Sequence, residues 1–306
     1  MASLTLLDLA RLNGKDSVVG LIEENLSAAP EIANIPARTI RGTSYKTSLR
    51  VSYPGVGFRA ANAATTPTAS VFEAKLVECF ILSGIVQVDK AVAMAYEDGP
   101  AALQAIESVG VMRSALIALG AQTYYGTVQD AKGFPGLQSI VNSALTFDAT
   151  GSTANTGSSV YAFRRGPQDV QYVFGSNQTF DLSEWRVETL SNVASFIADL
   201  TAWVGLQCVN PNSVGCIKNL TTQSGKTLTD AMLAQLIALF PVGNKPDVIF
   251  MNRRSNMQLQ TSRTVALYGQ AGGGRPTGEL VAPPPVEYQG IPIVVTDSIS
   301  STEAIR

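Results

Sequence analysis

Histidine is absent from all 306 residues. The absence removes the commonest general base, the commonest transition-metal ligand and every Ser/His or Cys/His nucleophilic pair. Cysteine is scarce as well. Cys79, Cys208 and Cys216 are odd in number, show no Cys-x-x-Cys spacing and sit among apolar neighbours, which predicts buried, reduced thiols made in a cytoplasm. Charged residues make up 15% of the chain and are balanced, Lys+Arg 22 against Asp+Glu 24. That balance predicts no basic surface for tight nucleic-acid binding, although a lattice of such subunits can enclose nucleic acid without adhering to it. The first residues have no basic leader, and Asp8, Arg11 and Asn13 interrupt any apolar run, so no signal peptide is expected.

What is present is a globular composition, 45% hydrophobic, long enough for one large or two medium domains. A mean hydropathy of +0.15 is high for a chain that stays soluble alone, and burial between subunits accounts for it. The organising stretch is Pro100 to Tyr125. Asp98-Gly99-Pro100 opens a helix, Gly126 closes it, and Ala102, Ile106, Val109, Met112, Leu116 and Leu119 recur at helical spacing. Such a helix is roughly 38 Å long at 1.5 Å per residue, a strut about twice the usual length. Glu107 and Arg113 near its middle argue against a membrane span. The plainer alternative is the core helix of an ordinary enzyme domain.

Before the strut, residues 3–26 predict two short helical pieces, with Leu4 and Leu7 and then Val18, Leu21, Ile22 and Leu26 as the apolar stripe. From Arg38 to Ser83 the period changes to two. Tyr45, Thr47, Leu49, Val51 and Tyr53 share one face, a small-residue stretch from Ala60 to Ala69 turns the chain, and Val71, Glu73, Lys75 and Val77 resume the alternation. Two long strands with so little apolar surface need something else to lie on. After the strut, Val160 to Val187 predicts short strands with turns at Gly166-Pro167 and Gly175 to Asn177. Val193, Phe196, Ile197, Leu200 and Val204 predict a helix, Thr229 caps another, Asp247 to Met251 is a buried strand, and Asn252 caps a basic helix. A flexible run over 269–285 precedes a last strand, Ile291 to Thr296.

No motif carries catalysis. Ser224-Gly-Lys-Thr227 resembles the end of a phosphate-binding loop, but Leu220 stands where its first glycine belongs. Gly272 to Gly274 lies in a proline-rich loop without strand-turn-helix context. Glu23 and Glu24, or Glu73 and Glu78, are carboxylates that a soluble enzyme with Asp/Glu chemistry would use, and solvated side chains are the plainer reading. Arg253, Arg254 and Arg263 form the one basic cluster, suited to a phosphate backbone or to acidic groups of a neighbouring subunit. Catalytic residues, cofactor and metal are all expected to be none.

The order of parts, with Leu6-Leu-Asp-Leu-Ala10 and Ile22-Glu-Glu24 in the arm, Gly133-Phe-Pro-Gly-Leu137 after the strut, Pro246 to Asn252 and Tyr288 to Asp297, resembles the major capsid proteins of tailed bacteriophages, with the Hong Kong 97 coat fold shared by encapsulins. The resemblance implies an α+β coat fold: an N-terminal arm over 1–37, an extended β-hairpin loop over 38–80, a peripheral domain over 81–218 with its spine helix at 100–125, and an axial α/β domain over 219–306. Tyr45, Leu49, Arg50, Tyr53, Arg59, Phe72 and Lys75 become candidates for contact with a neighbouring subunit. The implied function is an icosahedral shell, self-assembled from pentamers and hexamers around double-stranded DNA without sequence specificity. Its partners are a separate scaffolding protein and a portal, with a cementing protein left open and no membrane. The place is the virion capsid, assembled in the bacterial host cytoplasm. An encapsulin-like shell around protein cargo is the alternative. Lys46 and Lys75 lie where some members carry a crosslinking lysine, but no asparagine partner is identifiable, so a non-covalent shell is expected. Because strand-rich 160–187 directly follows the strut and the chain given stops soon after Ile291 to Thr296, a permuted order is expected, with residues 158–190 supplying the strands beside the spine and 226–300 finishing the axial domain.

Overall fold

The computed structural model describes residues 4–13, 23, 27–190, 192–263, 265–268, 276–280 and 282–306, with 265–268 and 276–280 described by backbone alone. In chain order, α1 (Leu6–Leu12) and the single turn α2 (Glu31–Asn34) precede β1 (Ala37–Thr39), β2 (Ser44–Ser52), β3 (Val71–Glu78) and β4 (Phe80–Asp89). Then come α3 (Lys90–Met94), α4 (Pro100–Tyr125), α5 (Leu137–Ile140), β5 (Thr146–Asp148), β6 (Val160–Phe163) and β7 (Val170–Phe174). They are followed by β8 (Asp181–Leu182), β9 (Arg186–Leu190), β10 (Val193–Cys208), β11 (Val214–Lys218), α6 (Asp230–Leu239) and β12 (Val248–Met251). Last are α7 (Arg253–Arg263), β13 (Val265–Tyr268), β14 (Pro276–Leu280), β15 (Glu287–Tyr288) and β16 (Ile291–Val295).

Local chemistry sets most of the boundaries. Thr5 and Asp8 close a reciprocal capping box on α1, the Asp8 amide donating to Thr5 Oγ1 at 3.3 Å and the Thr5 amide to Asp8 Oδ2 at 3.1 Å. Helix α4 starts at Gly99, whose φ of 85° excludes most side chains, with proline in its first turn, and stops at Gly126, with φ 56°. A β-carbon on Gly126 would collide with the backbone of Gly136. Thr229 Oγ1 accepts the Met232 amide at 3.4 Å to begin α6, and Asn252 Oδ1 accepts the Ser255 amide at 2.8 Å to begin α7.

Two mixed six-stranded sheets flank α4. The first runs β1-β7-β10-β4, with β8 and β9 also pairing with β10; the second runs β15-β16-β12-β6-β11-β5. The C-terminal end of α4 is wedged between them. Leu119 and Tyr124 pack with Tyr161, Phe163 and Phe250 of the second sheet and Tyr172, Phe174 and Val204 of the first. The Tyr124 and Tyr161 ring centroids are 5.3 Å apart, and Phe163 stacks on Phe250 at 5.2 Å. The other end is held by Leu103 against Val86 and Val88 of β4, joined by Leu9 of α1. On the far face of the second sheet, Leu233 and Leu236 of α6 and Leu259 of α7 cover Ile249, Met251 and Ile291. Between its buried ends α4 is largely open, and Val109, expected in its buried stripe, is 49% exposed. Among the described residues α4 is the one helix long and apolar enough to cross a membrane, and both its ends sit in protein cores.

Four expectations are corrected. The segment 193–204 is strand, not helix: β10 pairs with β4 from Ser195↔Asp89 to Val204↔Phe80, while β7, β8 and β9 occupy its other edge. Burial along β10 alternates from Ala198 to Val204, but the inward Ala198 and Ala202 are small and Phe196 and Ile197 are adjacent, so the large apolar residues Val193, Phe196, Ile197, Leu200 and Val204 fall at helical spacing. The strands expected beside the spine from 158–190 divide. β7, β8 and β9 join the first sheet through β10, whereas β6 joins the second sheet, next to β12 and one strand from β16. The boundary expected at 218 therefore cuts through a sheet, because β5, β6 and β11 share it with β12, β15 and β16, and β6 pairs directly with β12. Pro276–Leu280, expected within a flexible run, pairs antiparallel with β13. Val18, Leu21, Ile22 and Leu26, like Gly272 to Gly274, lie outside the described residues.

Candidate assembly interface

β2 and β3 form an antiparallel ribbon from Ser44↔Glu78 to Ser52↔Val71, with a register shift between Arg50 and Ser52. A two-stranded ribbon has no second layer in which to bury its side chains. Val51, Val56, Phe58 and Val71 are all exposed, as are Tyr53 at 79% and Phe72 at 61%. Aromatic rings bury about 150–250 Å² each when covered, so a row of uncovered ones marks a surface built for contact.

The candidate contact residues separate by height along this ribbon. Near the free end, the Arg50 guanidinium lies 5.2 Å from the Phe72 ring centroid and 5.5 Å from that of Tyr53, a cation placed between two uncovered aromatics. Arg59 donates to the Ala63 carbonyl at 2.9 Å within the tip, and Lys75 pairs with Glu73 at 2.7 Å. Leu49 and Lys75 face a groove that the body lines with Ile140 and Cys208 to Asn212. Tyr45 stands at the root, its ring 4.2 Å from the Arg38 guanidinium and its hydroxyl donating to Gln207 Oε1.

The root is tightly seated. Val77, Cys79 and Val173 form a small core with Ile40, Tyr45, Trp203 and Val209 around it. A β-carbon on Gly205 would collide with the Glu78 carbonyl, and one on Gly175 would lie 3.0 Å from Trp203 Cβ and 3.1 Å from the Gly42 carbonyl. Gln207 is 4% exposed and makes three side-chain hydrogen bonds: Oε1 accepts from the Tyr45 hydroxyl and from Gln171 Nε2 at 2.6 Å, and Nε2 donates to the Pro167 carbonyl at 2.6 Å. Reversing that amide would set donor against donor and oxygen against oxygen, so its orientation follows from its neighbours.

The three arginines of the basic cluster do not form one patch. Arg253 and Arg263 stand at opposite ends of α7, about 15 Å apart at 1.5 Å per residue. Each is paired within the chain. Arg253 binds Asp297 at 2.9 Å, and Arg263 grips Asp230 with two hydrogen bonds of 2.8 and 2.7 Å. Arg254 donates to the carbonyls of Ser301 at 2.7 Å and Thr156 at 2.8 Å, and burial lowers its pKa. Lys226 of the loop resembling a phosphate site donates to Thr150 Oγ1. No group of three or more His, Cys, Asp or Glu residues suited to a metal occurs among the described residues.

Two buried carboxyls, which no motif in the sequence singles out, tie the segment from Thr296 to Arg306 to the rest. Glu31 is fully buried, accepts Thr296 Oγ1 at 2.8 Å and the Ser298 hydroxyl, and burial raises its pKa. Glu303 accepts Tyr125 at 2.8 Å and Ser159 at 2.6 Å, with Arg306 at 3.1 Å. Ile299 enters the central core, the Ser300 amide donates to the Tyr125 hydroxyl at 2.6 Å, and the Arg306 amide donates to Asn219 Oδ1 at 2.8 Å.

A strut helix between two mixed sheets, with an uncovered two-stranded arm leaving one of them, is the architecture of phage coat proteins of the Hong Kong 97 type. The capsid protein of bacteriophage Epsilon15 superposes with a TM-score of 0.73 at 18% identity, covering 99% of this chain and 97% of that one. The holo-SrpI encapsulin of Synechococcus elongatus PCC 7942 gives 0.51 at 9% identity, covering 73% of this chain and 98% of that one. The capsid of Myoviridae phage XM1 gives 0.50 at 9%, over 68% and 97%. No curated protein matches the chain by sequence. Residues 15–306 match the family described as major capsid protein GP7, and the chain belongs to that family. It is a major capsid protein of a phage shell.

Proposed function

We propose that this subunit self-assembles through pentamers and hexamers into an icosahedral shell around double-stranded DNA, built in the bacterial host cytoplasm with a separate scaffolding protein and a portal at one vertex. The observation that carries the reading is the outer part of the hairpin, where Val51, Tyr53, Val56, Phe58, Val71 and Phe72 find no cover within their own chain. Tyr53, Phe72 and Arg50, with Leu49, Arg59 and Lys75, pack on an adjacent subunit, while Tyr45 secures the root. The sheet containing β4 and β10 is the peripheral sheet and the one containing β12 and β16 the axial sheet, the C-terminal strand completing the latter in a permuted order. The role is structural rather than catalytic, and the balanced charge suits enclosure of DNA without sequence-specific grip. Electron microscopy of the purified protein is the test. Closed particles are expected, with nucleic acid inside and a portal at one vertex in particles from infected cells. Particles holding protein cargo instead would favour the encapsulin-like alternative, and a soluble monomer at all concentrations would defeat both.

A further inference from the structure

Among the described residues, Tyr45 is the one residue of β2 or β3 whose side chain hydrogen-bonds the body, with Gln207 Oε1 as its acceptor. The bond is made at the root, where the small core and the close-approach glycines hold the hairpin; beyond it Leu49 and Lys75 face an open groove of the body, and Tyr53 and Phe72 are exposed. Seven residues of strand, about 23 Å at 3.3 Å per residue, lie between Tyr45 and Ser52, so a swing of about ten degrees at Tyr45 moves the far end by about 4 Å. That is about the width of one side-chain layer, enough to take Phe72 and Tyr53 out of register with a close-packed partner surface.

We propose that Gln207 is the positioning residue of the hairpin: locked by Gln171 and the Pro167 carbonyl, it holds the Tyr45 hydroxyl and so sets the angle at which the ribbon leaves strand β10. Its amide is an appropriate device because both ends are fixed before Tyr45 arrives. The Tyr45 ring adds direction, since Arg38 lies over it from β1. The consequence for assembly rests on the reading of the hairpin as the arm that packs on a neighbour, whereas the geometry does not.

The experiment places spin labels through Thr65→Cys at the tip and Ser114→Cys on the spine of the full chain, and measures the distance distribution in unassembled subunits. Tyr45→Phe removes one hydroxyl and keeps the ring, leaving Gln207 still bonded to Gln171 and Pro167. It is expected to broaden the tip distribution at an unchanged melting temperature and to cause loss of closed shells. Tyr288→Phe, which removes a hydroxyl from a ring in β15 of the other sheet, is the control and changes neither. A Tyr45→Phe distribution as narrow as the parent's overturns the proposal. A broadened distribution with shells of parental yield and diameter overturns its assembly consequence. Failure of the parent protein itself to form shells counts against the proposed function alone, because the distance measurement still decides the geometry.

Discussion

Gly120 of the spine helix lies directly against the carboxyl of Glu31, with no room for a β-carbon between them. The contact lets a one-turn helix near the start of the chain seat its only acid under the spine, where Thr296 and Ser298 supply hydroxyls and no Lys or Arg pairs with it among the described residues. Burial raises the Glu31 pKa above the ordinary carboxyl value, and Asp297 nearby adds to the effect. Between the unfolded and folded pKa values the folded chain keeps a proton that the unfolded chain releases. Its contribution to stability is therefore complete below the unfolded value and is lost as pH rises through the folded one. Urea midpoints across that window should decline with pH in the parent and less steeply in Glu31→Gln. Equal slopes in the two proteins would refute the assignment.

Deleting residues 56–70 removes the outer hairpin and none of the buried core. The product should elute as a folded subunit with a cooperative melting transition and should form no shells by electron microscopy. Normal particles from that deletion would show that the hairpin is not the arm.

Phe72 and Phe250 provide a paired comparison. Phe72 is exposed, so Phe72→Ala should shift subunit stability by no more than about 0.5 kcal/mol while lowering shell yield. Phe250 is fully buried between Phe163 and Tyr124, so Phe250→Ala should cost about 3–5 kcal/mol in chemical denaturation. If Phe72→Ala destabilises the isolated subunit as strongly as Phe250→Ala does, the ribbon has cover within its own chain.

The thiols should be silent in the native subunit. Cys79, Cys208 and Cys216 are free, and burial pushes Cys208 and Cys216 up to about 12, so little thiolate exists at neutral pH. A thiol-titrating reagent should count none in native protein and three after unfolding. Rapid native labelling would contradict the packing around β10 and β11.

Features set by neighbours along the chain were legible before the fold was known. Gly99-Pro100 and Gly126 bound the spine, Thr229 and Asn252 cap their helices, and the alternation about Tyr45 to Tyr53 marks β2, because each depends on a few adjacent residues. Features set by distant partners were not. β10 reads as a helix because its inward Ala198 and Ala202 are small and its large apolar residues fall at helical spacing, an ambiguity that only pairing with β4 and with β7 to β9 resolves, and nothing within Val160 to Phe163 says which sheet receives that strand. The arginines read as a basic cluster because their partners Asp297 and Asp230 lie 44 and 33 residues away. Gln207 carried no signal at all: a glutamine near the end of an apolar strand becomes informative only when Tyr45, Gln171 and Pro167 converge on it.

The ties made by Thr296 to Arg306 impose an order in time. During synthesis the spine and its first sheet leave the ribosome early, but Glu31 lacks its hydroxyl partners and the central core lacks Ile299 until this late stretch emerges. A nascent chain therefore exposes its hairpin well before its central core can close. A chain that lacks Thr296 to Arg306 should fold with that core open and Glu31 without its hydroxyl partners.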